Sequence, residues 1–110
     1  MIDVIDEQLH IITEILQKYV SAYEVRVFGS RYKGTAKNYS DLDLAIVGNT
    51  KLDWRLIENI KEAFSESELP FRVDVLDWYA ISPKFRGVIE AGYAVIQKHG
   101  DTSPPMFSRM

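Results

Sequence analysis

Cysteine is absent from these 110 residues, so disulfides and thiolate metal sites are excluded. Proline and glycine are sparse, at 4 and 6, which excludes collagen-like or low-complexity character. Two histidines occur, His10 and His99; neither has the other at ligand spacing, so no imidazole zinc site is expected. No apolar run approaches the roughly 20 residues that span a bilayer. Positive charge is not in excess either. A formal net charge of -3 leaves no overall basic field, so neither direct nucleic-acid binding nor a membrane surface is expected. The first ten residues, MIDVIDEQLH, are acidic and amphipathic, unlike the basic start and continuous apolar stretch of a signal peptide. These absences predict a cytoplasmic protein.

What is present is ordinary for a globular domain: 46% hydrophobic and 26% charged residues. Ile5, Leu9, Ile12, Leu16 and Tyr19 recur at three or four residues and mark one face of a first helix. "YEVRVF" then alternates, placing Val25 and Val27 on one side of a strand. Gly29-Ser30 ends it, and "DLDLAIV" forms a second strand whose Leu42, Leu44 and Ile46 share a face. Thr50, with Asp53 three positions on, resembles a helix N-cap. Apolar residues from Leu52 to Phe64 continue as a helix, and "FRVDVLDW" makes a third strand. Ser82-Pro83 starts a short helix, and "YAVIQ" is a fourth strand, expected at an edge. Strands alternating with helices predict one α/β (α+β) domain over residues 1–98, a mixed sheet with helices packed on it. Residues 99–110, "HGDTSPPMFSRM", are expected to form a flexible tail.

The costly feature is Asp41 and Asp43. On a strand they project from one face, about 7 Å apart, while Leu42 and Leu44 point into the core. Two anions so placed repel, and one tends to keep its proton. Hard Mg²⁺ removes the conflict, since it prefers carboxylate oxygens and leaves room for phosphates. Asp74 lies between Val73 and Val75, and joins them if the second and third strands are neighbours. A three-carboxylate cluster suits two metal ions about 3.5–4 Å apart, the arrangement for in-line attack at phosphorus. Asp77 competes for the third role, but lies off the alternation and reads better as a turn cap. Gly29 lets backbone approach a ligand closely, and Ser30 with Arg31 would add donors to a triphosphate. Gly34 follows Gly29 by five residues, but a P-loop is excluded, because Thr35 and Ala36 stand where lysine and a hydroxyl residue belong.

Gly29-Ser30, ten residues, then Asp41-Leu42-Asp43, with "VDV" around Asp74, resemble the GS-x10-DxD pattern of the DNA polymerase β-like nucleotidyltransferases. The subgroup most similar is the minimal nucleotidyltransferases, antitoxins paired with helical HEPN-domain toxins. The resemblance implies the nucleotidyltransferase fold and transfer of a nucleoside monophosphate, AMP from ATP, to a hydroxyl, here a tyrosine of the toxin. It also implies two Mg²⁺ ions on Asp41, Asp43 and Asp74, with Asp74 helping to deprotonate the acceptor. Gly29, Ser30 and Arg31 are then expected at the triphosphate. Two other readings stay open: a partner that neutralises a toxin by steric cover alone, and a small-molecule nucleotidyltransferase.

Overall fold

The computed structural model describes residues 2–98; the expected tail at 99–110 lies outside the described residues. The elements run α1 (Asp6–Val20), β1 (Glu24–Phe28), α2 (Ser30–Lys33), β2 (Leu42–Val47), α3 (Trp54–Ser65), β3 (Val73–Asp77), α4 (Pro83–Glu90) and β4 (Ala94–Gln97). The four strands lie in the order β3-β2-β1-β4. β1 is antiparallel to both β2 and β4, whereas β2 and β3 are parallel. The sheet is therefore mixed, and β4 is an edge strand as expected.

α1 buries Ile12, Leu16 and Val20, one residue every fourth, while α3 buries Ile57, Ile60 and Phe64. These two stripes meet Val25, Val27, Leu42, Leu44 and Ile46 on a single face of the sheet. The opposite face carries a smaller apolar cluster, in which Ala45, Trp78 and Ile89 of α4 pack together. Gln97 is buried at the end of β4, and its side-chain amide donates to the carbonyls of Val20 and Tyr23, closing the turn after α1.

One helix start differs from expectation. The N-cap of α3 is Asp53, not Thr50: its Oδ1 accepts the Arg55 backbone N–H at 2.9 Å. Asp77 explains the shift, because its Oδ2 accepts the Leu52 N–H at 2.8 Å and holds the chain before Asp53 outside the helix. Ser82 caps α4 as expected, accepting from Phe85 N–H, with Pro83 at the first helical position. Among the described residues, no helix is long and apolar enough to cross a membrane.

Candidate active site

The parallel pairing of β2 with β3 sets Asp43 directly opposite Asp74. Neighbouring residues in register share a face, so both carboxylates leave the sheet on the side opposite Leu42, Leu44, Val73 and Val75. Asp41, two residues before Asp43, ends the preceding loop on that side. The crowding registers in Asp43, whose carboxyl is pushed up from the ordinary 3.8 to about 6. Partial burial is the main cause, followed by the negative charge of Asp74 and then Asp41; Arg72 acts in the other direction.

Arg72 is a member of the site that sequence reading missed. Its Nη2 stands 3.6 Å from Asp41 Oδ2, with both side chains well exposed. The signal was available: Arg72 precedes Asp74 by two residues, just as Asp41 precedes Asp43, so in-register strands bring them side by side. Asp41 is thus turned toward a cation of the protein itself. Among the described residues, no three acidic or histidine side chains are already gathered closely enough to hold a metal ion.

Gly29 closes the site from the β1 side. Its φ is +77°, a left-handed conformation that side chains disfavour. A Cβ added there would lie 2.3 Å from Asp43 Oδ2. The glycine is therefore required both by the bend and by how closely backbone and carboxylate approach. Ser30 begins α2, a single helical turn that ends on Gly34 at φ +79°.

Arg31, expected at the phosphates, has a buried guanidinium that is engaged with backbone carbonyls. Nε donates to Ser40 O at 3.0 Å and Nη1 to Asp3 O at 2.8 Å. Nη2 donates to Lys37 O and Asn38 O at 3.2 and 3.1 Å. The Phe71 ring lies 3.9 Å from the guanidinium carbon. Three of these carbonyls belong to the loop between Gly34 and Asp41, which has no regular ladder of its own and needs donors. Arg31 supplies them, and so fixes the loop end from which Asp41 projects. The Ser40 hydroxyl adds to this by accepting the Lys37 N–H at 2.8 Å.

Asp77 takes the cap role. It is buried on the helix-covered face with Val73 and Val75, and accepts from Leu52 N–H and Tyr79 N–H. Further along the open face, Arg26 lies between the rings of Trp78 and Tyr93, at 4.6 and 4.5 Å, and pairs with Glu24.

The chain is similar to known proteins in the same terms. Residues 10–99 match the family model for polymerase beta nucleotidyltransferases. A Haemophilus influenzae protein described as a probable protein adenylyltransferase MntA is 52% identical over 101 residues, covering 92% of this chain and 89% of the relative. In fold, the chain resembles a toxin–antitoxin complex solved with AMP-PNP, at a TM-score of 0.63 and 21% identity, covering 82% of this chain and 73% of that one. It also resembles the MNT antitoxin solved with a tri-AMPylated HEPN toxin of Shewanella oneidensis, at a TM-score of 0.58 and 20% identity, over 84% of this chain and 71% of that one.

Proposed function

This chain belongs to the polymerase β nucleotidyltransferase family, and on that premise we propose that it transfers AMP from ATP to a tyrosine hydroxyl of a HEPN-type helical partner. It then acts in the cytoplasm as the antitoxin of a toxin–antitoxin pair. The observation that carries this reading is the register of Asp43 with Asp74, beside a glycine bend that admits no side chain. The 52% identity to a protein described as a probable protein adenylyltransferase supports protein as the acceptor class.

Three carboxylates offer hard oxygen donors, and the upward push on Asp43, from partial burial first and then from the charges of Asp74 and Asp41, marks a carboxylate that a bound cation would stabilise. Mg²⁺ suits both features. Asp41, Asp43 and Asp74 would hold two such ions, which when bound neutralise charge on the phosphates. Gly29 brings its backbone close against the Asp43 carboxylate, so that backbone at the bend and the Ser30 hydroxyl would meet the β- and γ-phosphates. Asp74 accepts the proton of the attacking hydroxyl. The hydroxyl oxygen bonds to the α-phosphorus as the bond to pyrophosphate breaks. Arg31 contributes indirectly, by holding the loop that positions Asp41. Most of the rate gain is positioning and charge neutralisation.

The test is to incubate the chain and its helical partner with Mg²⁺ and ATP labelled at the α-phosphorus. Label is expected on a partner tyrosine with the wild type and not with Asp43→Asn. No label on the partner, or equal labelling by both forms, would end the reading.

A further inference from the structure

Arg31 and Arg26 are committed to the fold. Arg31 is buried and gives its guanidinium to four backbone carbonyls, and Arg26 lies between two rings and pairs with Glu24. Arg72 differs. Its side chain is 77% exposed, and its 3.6 Å contact with Asp41 is longer than the roughly 2.7–2.9 Å of a close charge-assisted hydrogen bond. Its backbone, by contrast, is fixed. The Arg72 carbonyl accepts the N–H of Leu42, the residue between Asp41 and Asp43, at 2.9 Å, and Val73 pairs in register with Leu42. Arg72 therefore stays at the site while its guanidinium is free to turn. Its charge also reaches Asp43, whose upward push it opposes.

The strength of the pair decides what it does. A solvated ion pair changes a competing affinity by about two- to five-fold. That fits the observed arrangement, in which Asp41 faces Arg72 and no three acidic or histidine side chains are gathered among the described residues. It is too weak to withstand a divalent ion that brings phosphate ligands of its own. A metal taken up by Asp41 displaces the guanidinium, which its backbone anchor keeps alongside. A phosphate oxygen on the same ion neighbours Asp41 Oδ2, so it lies within reach of a group that already stands 3.6 Å from that atom. The planar fork of arginine pairs phosphate oxygens in two parallel hydrogen bonds.

We propose that Arg72 is a nucleotide-contacting residue that changes partner: it pairs with Asp41 in the metal-free chain, and turns to the phosphates of the nucleotide once a metal ion takes that carboxylate. This rests on the proposed transfer reaction for the presence of metal and nucleotide. Metal alone then binds less tightly than the carboxylates would allow, because it has to displace Arg72. Metal and nucleotide favour one another, since metal on Asp41 releases the guanidinium that the phosphates receive. Such coupling is reciprocal.

Two titrations of the full chain read this without any transfer step. Mn²⁺ alone is followed by the loss of its free paramagnetic signal, and ATP is titrated by calorimetry at saturating Mg²⁺. Arg72→Ala should tighten Mn²⁺ by about two- to five-fold and weaken ATP by about ten-fold or more. Opposite signs from one exposed substitution are the signature. Arg72→Lys keeps the charge without the fork, so it should restore the weaker Mn²⁺ binding and recover only part of the ATP affinity. Lys61→Ala removes a cation that lines the same cavity as Arg72 and Asp74 but pairs with Glu58; it should leave both constants within about two-fold of wild type. If it moves both as far as Arg72→Ala does, the effect is overall charge and the change of partner is overturned. Unchanged affinity of Arg72→Ala for either Mn²⁺ or ATP overturns it as well, and leaves the proposed function standing. A wild type that binds neither metal nor ATP ends the proposed function, and the role of Arg72 with it.

Discussion

The two faces of this sheet follow opposite rules. On one, Ile12 and Leu16 of α1 and Ile60 and Phe64 of α3 seal Val25, Val27, Leu42 and Leu44 from water. On the other, only part is covered, through Trp78 and Ile89, and the remainder presents Asp41, Asp43 and Asp74. β2 belongs to both faces. Its Leu42 and Leu44 are fully buried, and between and before them stand the two aspartates. The covered face anchors the strand, so the open face can tolerate like charges that a freely moving segment would separate. Fold stability and chemistry are thereby divided between alternate residues of one strand, and substitutions on the two faces should leave different signatures.

The largest effect is expected on the open face. Asp74→Asn should lower AMP transfer by about 10²–10⁴-fold, the usual weight of a positioned acid–base group, while thermal unfolding shifts little or upward because one crowded charge is gone. Labelled-ATP assays and a melting curve measure both. If this variant neutralises the toxin as well as wild type, steric cover rather than transfer is the antitoxin mechanism. On the covered face, Leu44→Ala should cost about 2–5 kcal/mol in urea unfolding, with the molecules still folded keeping their affinity for ATP. An equal loss of affinity per folded molecule would break the division between faces.

Gly29 belongs to neither category, which sharpens the comparison. Gly29→Ala meets the strained φ, at about 1–3 kcal/mol, and also displaces the Asp43 carboxylate, since the new methyl would otherwise lie 2.3 Å from it. Stability and transfer should therefore both fall. Loss of one without the other would mean that the bend relaxes independently of the site.

The same division explains what could be read from sequence. Buried stripes on α1 and α3 and alternation in β1 and β2 have fixed periods, so Ile12, Leu16, Val25 and Leu44 were legible as core. The Asp41, Asp43 and Asp74 set was legible as a pattern, and its placement on one face needed only that β2 and β3 be neighbours. Arg31 and Arg72 were harder, because an arginine at a phosphate site, in a loop scaffold or in an ion pair looks alike in one dimension. Arg31 is decided by which carbonyls lack partners, and Arg72 by strand register; both are long-range facts. Thr50 failed as a cap for a similar reason, since the hydrogen bond that delays α3 comes from Asp77, 25 residues beyond Leu52.

The smallest effect concerns pH. Asp43 titrates near 6 in the folded chain, against an ordinary 3.8. Between those values the folded state holds more protons than the unfolded one, so stability falls as pH rises from about 4 to 6. The full shift would correspond to about 3 kcal/mol, but the group is only partly buried and solvent screening reduces this to about 1 kcal/mol. Asp43→Asn should flatten that part of the stability curve and leave the protein about 1 kcal/mol more stable than wild type at neutral pH, measured by urea unfolding across the range. Millimolar Mg²⁺ should narrow the gap at neutral pH by stabilising wild type alone, and should lose that effect below pH 6, where protons compete for the same carboxylate. An open face whose stability rose with pH through this window would mean that its aspartates are already balanced by protein cations, and that the crowding seen between β2 and β3 leaves no charge for a metal to offset.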